Sequence, residues 1–77
     1  MKRTEFITKI SKRKGMNCAK ARQAVNAVMD TIRTALINGD EVEIGGFGTF
    51  GVVTDLNGER IPVFKAGKAL KQNLNIN

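Results

Sequence analysis

The chain contains no histidine, no tryptophan and no tyrosine, and only one cysteine (Cys18) and one proline (Pro62). Without histidine and with a single thiol, no zinc ligand set can be assembled and no Ser-His or Cys-His nucleophile pair exists. A disulfide within the chain is excluded, and Cys18 has no partner residue nearby in sequence for redox work, although it stands near a helix start. No apolar run approaches the roughly 20 residues of a membrane span, and no signal-peptide core follows Lys2-Arg3. A membrane partner is therefore not expected, and the lone cysteine predicts a reducing, cytoplasmic setting. Nor do the acids form a catalytic set. Asp40, Glu41 and Glu43 run along a strand start, and Asp55 and Glu59 read as hairpin polarity. No enzyme, metal or cofactor is expected.

What remains is a small basic chain of 77 residues with net charge +6, read as one domain over 1–77. A domain this short buries only about 60% of its unfolded surface, and with disulfides and metal excluded the missing burial must come from another chain. A homodimer, the commonest closed oligomer, is the expectation. The charge points to a polyanion, nucleic acid foremost.

Phe6, Ile7 and Ile10 recur at helical spacing and are followed by Ser11-Lys12-Arg13-Lys14 and Gly15, which predicts a helix over about 4–14. Asn17 is a good N-cap for a second helix reaching Asn38, with an apolar stripe through Ala21, Val25, Val28, Ile32 and Leu36 and a stop at Gly39. Asp40 to Ile44 alternates as a half-buried strand, and Thr49 to Thr54 reads as a second. Asn57-Gly58 marks a hairpin that returns over Glu59 to Phe64, with Pro62 at a strand end or edge. A short helix over 66–73 and a frayed tail over 75–77 close the chain. The fold class is α+β: two helices, a three-stranded antiparallel meander and one short helix.

Two segments carry chemistry. In Gly46-Phe47-Gly48-Thr49-Phe50 the glycines permit a tight turn that swings Phe47 inward, with Phe50 and Phe64 as further core, and the amides of Gly46 and Gly48 are candidate phosphate donors. In Lys65-Ala66-Gly67-Lys68-Ala69-Leu70-Lys71, Lys68 and Lys71 lie three apart on one helical face beside the free N–H groups of the helix start, a phosphate-binding arrangement. Lys12-Arg13-Lys14 at a helix end is stabilising there in any case, with a second DNA-binding face as the alternative.

With Gly39-Asp40, Gly46-Phe47-Gly48-Thr49-Phe50, Ile61-Pro62-Val63-Phe64 and Gly67-Lys68-Ala69-Leu70-Lys71 in this order, the chain resembles the histone-like HU and integration host factor family of bacterial DNA-binding proteins. The resemblance implies an intertwined homodimer in which Val25, Val28, Ile32, Leu36, Ile44, Phe47, Phe50 and Phe64 form the interface and shared core. It also implies DNA contact by Lys2, Arg3, Gly46, Gly48, Arg60, Lys65, Lys68 and Lys71, and a place in the bacterial nucleoid. Family members carry a long two-stranded arm with an Arg-Asn-Pro tip whose proline wedges between base pairs. Here only Gly51 to Ile61 occupies that place, without Arg-Asn-Pro. Leu56 is a poor substitute wedge, because Asp55 beside it repels phosphate. The expected function is sequence-tolerant DNA binding through phosphates with little or no bending. The alternatives are a protein-interaction module that heterodimerises with an armed HU-type protein, and an RNA binder.

Overall fold

The computed structural model describes residues 1–75, so the expected tail lies outside the described residues from 76 onward. The chain runs α1 (Arg3–Lys14), α2 (Cys18–Ile37), β1 (Val42–Ile44), β2 (Gly48–Thr54), β3 (Arg60–Ala66) and α3 (Lys68–Leu74). It divides into two compact units, Met1–Thr31 and Ile32–Asn77, with the division inside α2.

The first unit is a helical hairpin. Gly15 ends α1 in the left-handed region at φ 64°, which a residue with a Cβ adopts only under strain. The Asn17 side chain accepts from the Lys20 amide at 2.8 Å and caps α2 as expected. Ser11, part of a polar run in the sequence, is buried and donates its hydroxyl to the Met16 carbonyl at 2.6 Å, which ties the turn to α1. Ile7, Ala21 and Val25 form the buried apolar core of the described residues, with Ile10 and Met16 packed against it.

The second unit holds the end of α2, a sheet of order β1-β2-β3 with both pairings antiparallel, and α3. α2 closes in a Schellman motif: Asp40 N–H donates to Ala35 at 2.9 Å and Gly39 N–H to Leu36 at 3.1 Å, with Gly39 at φ 83°. That use of Asp40 shortens the first strand from the expected 40–44 to Val42–Ile44. At the other end, Lys65 and Ala66 pair with Thr49 and Gly48, which lengthens β3 and delays α3 from 66 to Lys68. Pro62 lies inside β3, on an edge strand of the sheet, where its missing N–H deprives no neighbour of a bond. The hairpin turn also differs from the two-residue Asn-Gly form, since among the described residues no non-glycine has positive φ. Asp55 builds it instead: its carboxylate accepts from the Asn57 and Glu59 amides at 2.8 and 2.9 Å, and Gly58 alone takes the left-handed conformation.

Candidate nucleic-acid interface

Phe47 N–H donates to Ile44 at 3.0 Å across Gly45-Gly46, with Gly46 at φ 82°, the positive value a type II turn needs at its third position. Gly46 is exposed, and its backbone can approach a phosphate. Gly48 cannot serve in that role. It is buried in β2 between Ile44 and Ala66, so the expected amide donor at this position is corrected to a packing role. A Cβ on Gly48 would meet the Lys65 carbonyl oxygen and the Phe64 ring, each at 2.5 Å. Gly67 closes the same junction. Its N–H donates to the Phe47 carbonyl at 2.8 Å, and an added Cβ would stand 3.1 Å from that peptide. Gly48→Ala is therefore expected to cost about 1–3 kcal/mol by overpacking against backbone. In a domain of this size that lowers Tm by on the order of 10 °C, measurable by circular dichroism, and an unchanged Tm would show the junction to be soft.

The two glycine-bound ends of the sheet carry Lys65 near the end of β3 and Lys68 and Lys71 one helical turn apart on α3, all three exposed. The α3 backbone is held by Lys71 N–H to Gly67 at 3.1 Å, and Asn75 closes it through its side-chain amide to Lys71 at 2.8 Å. In the helical unit, Lys2 stands at the N-cap of α1 and is exposed, while the Arg3 guanidinium donates to the Asn26 side chain on α2.

Arg60 is exposed and folds back onto the end of α2. Its guanidinium donates to the carbonyls of Leu36 and Ile37 at 2.7 and 3.2 Å, over an apolar groove lined by Arg33, Leu36, Ile37, Val52 and Pro62. It thus supplies donors to the last carbonyls of α2, a placement the sequence did not signal because the two partners lie 23 and 24 residues away.

The expected core aromatics cluster but do not form an interior of this chain. Phe64 packs on Phe47 and Phe50 at centroid distances of 5.3 and 4.8 Å, yet Phe47 and Phe64 remain 45% and 43% exposed. Val25 is buried in the helical core, Ile32, Leu36 and Phe50 are half-buried, and Val28 and Ile44 are exposed. Phe47 and Phe64 stay open because no layer among the described residues of the second unit covers them.

A family model described as bacterial DNA-binding protein matches residues 1–57. The DNA-binding protein HU of Geobacillus stearothermophilus is 35% identical over 86 residues, covering 92% of this chain and 96% of that protein. HU from Thermotoga maritima has a solved structure that superposes with TM-score 0.85 at 35% identity, covering 97% of this chain and 100% of the other. An Anabaena HU–DNA cocrystal structure, 23% identical, shares the fold at TM-score 0.82 over 97% of this chain and 98% of the other. Among the described residues no helix is long and apolar enough to cross a membrane.

Proposed function

The chain belongs to the HU-type family of bacterial DNA-binding proteins, and on that premise we propose a homodimer that grips duplex DNA by its phosphates, without reading sequence and with little bending. The observation that carries this reading is the length of the β2–β3 hairpin. Beyond the Val52–Pro62 pair only two residues remain on each limb, Val53 and Thr54 against Ile61 and Arg60. That is about 7 Å of ribbon at strand rise, too little to follow a groove around a duplex. The tip offers Asp55 and Glu59, which repel phosphate, and its nearest cation, Arg60, is committed to the end of α2. Two further facts support a shortened arm: the Geobacillus alignment spans 86 residues against the 77 of this chain, and the family match stops at Asn57, in the hairpin turn.

What is left for DNA is charge. Lys65, Lys68 and Lys71, with Lys2 and Arg3, can neutralise phosphates, and the exposed amide at Gly46 can donate to one; contacts of this kind carry no base readout. With about four to eight phosphates neutralised per dimer, binding should weaken with salt at a log–log slope of about −4 to −7. A salt-titrated gel shift on linear duplexes of unrelated sequence measures this, and a ring-closure assay on a short duplex measures bending. Similar affinity across sequences, a steep slope and unaccelerated ring closure are expected. Strong kinking, or one sequence preferred by orders of magnitude, would overturn the reading.

A further inference from the structure

The second unit holds its charges sorted. Ile32–Asn77 has five Lys and Arg against five acids and is formally neutral, so two copies of it meet without net repulsion. Within that balance the hairpin tip, Asp55-Leu56-Asn57-Gly58-Glu59, has two acids and no cation. An apolar groove of the same unit is lined by Leu36, Ile37, Val52 and Pro62 together with two arginines, Arg33 and Arg60. Leu56 stands between the two acids at 105% exposure, so nothing of its own chain covers it. We propose that the groove receives the hairpin tip of a second copy of this chain. Leu56 enters the groove, Asp55 and Glu59 meet the arginines, and two hairpins exchange tips reciprocally to link one dimer to the next. Tip exchange needs no DNA; the step from paired hairpins to linked dimers rests on the homodimer proposed above.

Both halves of the contact are set before they meet. Asp55 takes the Asn57 and Glu59 amides on one oxygen, Oδ1, at 2.8 and 2.9 Å, which leaves its other oxygen for an outside donor. Two backbone bonds close the same loop, Asp55 N–H to the Glu59 carbonyl at 2.9 Å and Gly58 N–H to the Asp55 carbonyl at 3.1 Å. Leu56 is thus presented on a turn with little backbone freedom left to lose on docking. On the receiving side, Arg60 donates to the Leu36 and Ile37 carbonyls through Nη2 alone. Its guanidinium plane is fixed, and its Nε and Nη1 donors remain for a carboxylate. The groove encloses about 270 Å³, more than a leucine's isobutyl group needs, and the arginine stems add to its apolar lining. A hairpin cannot fill its own groove, because Val52 and Pro62 belong to the ribbon that carries the tip. Leu56 lies four residues beyond Val52, about 13 Å along the ribbon at strand rise. Two antiparallel hairpins overlapping by that length bring each tip to the other's groove, and the two-fold axis uses every contact twice. A leucine gives no advantage to the turn itself, where residues are chosen for backbone geometry and polarity. The contact is small, so it is weak between free molecules, and two hairpins on each dimer strengthen it by repetition.

Sedimentation velocity of the full chain without DNA, from micromolar to millimolar protein, should show dimers growing into larger species. High salt should suppress the growth, because the pairs between tip and arginines are exposed. Leu56→Asn and Glu59→Lys should each raise the concentration needed for growth at least about tenfold, as loss of a central anchor does. Their Tm should stay near wild type, since both side chains are exposed and only the Glu59 backbone serves the turn. The register is read by disulfide trapping in a Cys18→Ser background. An equal mixture of Leu56→Cys and Ile37→Cys proteins, mildly oxidised, should yield the mixed disulfide in excess over both homodisulfides by mass spectrometry. A wild type that stays dimeric at every concentration overturns the inference, as does growth unchanged in both variants or a mixed disulfide without excess. Each of these leaves the homodimer and its DNA binding standing. A wild-type monomer that pairs only through the tips, and loses pairing in Leu56→Asn, supports the exchange and refutes the homodimer as the building unit.

Discussion

Replacing Val28 with aspartate is expected to leave a chain that neither pairs nor folds. The reason lies in how little the chain buries by itself. Its buried apolar core among the described residues is Ile7, Ala21 and Val25, and no large side chain is fully buried. Phe6, Val28 and Met29 are 41%, 51% and 38% exposed and, with Ile10, Ala24 and Val25, line an open apolar groove in the helical unit. In the sheet unit Ile44, Phe47, Val63 and Phe64 are each about two-fifths exposed. An apolar surface of that extent on a chain this small calls for a second copy, and symmetry makes every interface residue count twice. Burying an unpaired aspartate in such an interface costs several kcal/mol per copy, against a total stability of about 5–15 kcal/mol for a whole domain. Analytical ultracentrifugation should give the wild type twice the chain mass, with a Tm that rises with protein concentration. Val28→Asp should sediment as a monomer with its helical circular dichroism largely lost, and Val28→Leu should behave as wild type. A wild-type monomer that melts cooperatively at one temperature whatever its concentration would refute the dimer.

The features legible in the sequence are those decided within a few residues. Gly15, Asn17 and Gly39 bracket the helices because a left-handed stop and a side-chain cap need only their own neighbours. The order of strands followed from alternation and turn residues for the same reason. The misreadings all involve partners distant in sequence. Gly48 read as an open amide because the Phe64 ring and Lys65 carbonyl that crowd it arrive from β3. The start of α3 shifted because pairing with β2 claims Lys65 and Ala66. The contact of the Arg60 guanidinium with the carbonyls of α2 was not legible, because those carbonyls lie 23 and 24 residues away. The hairpin turn fell at Asp55-Leu56-Asn57-Gly58, as the sequence marked it, and the Asp55 carboxylate sets it by accepting from two amides. For the site, composition pointed to a polyanionic partner, but only the division into units showed that the motif-bearing half carries no net charge.

The second large effect is expected from Lys68→Glu/Lys71→Glu. Each exchange changes the charge by two, so the pair takes a chain from +6 to +2 and reverses the sign of one helical face. Lys68 and Lys71 are exposed, and α3 is anchored by Gly67 and Asn75 rather than by their ammonium groups. A glutamate in the first turn of α3 is favourable to that helix end, so Tm should move by only a few degrees. DNA binding should respond strongly. If both lysines touch phosphate in each protomer, four contacts vanish per dimer and the slope flattens by about 3.6. Affinity at 50 mM salt then falls by about a hundredfold or more, because low salt is where lost counterion release weighs most. The flattened slope separates this outcome from unfolding, which would abolish binding at every salt concentration without a graded change. An affinity and slope equal to wild type would mean that duplex DNA never reaches α3. The cations at the end of α1 would then have to carry the grip alone, and the resemblance at Gly67-Lys68-Ala69-Leu70-Lys71 would reflect the fold and not its contact with DNA.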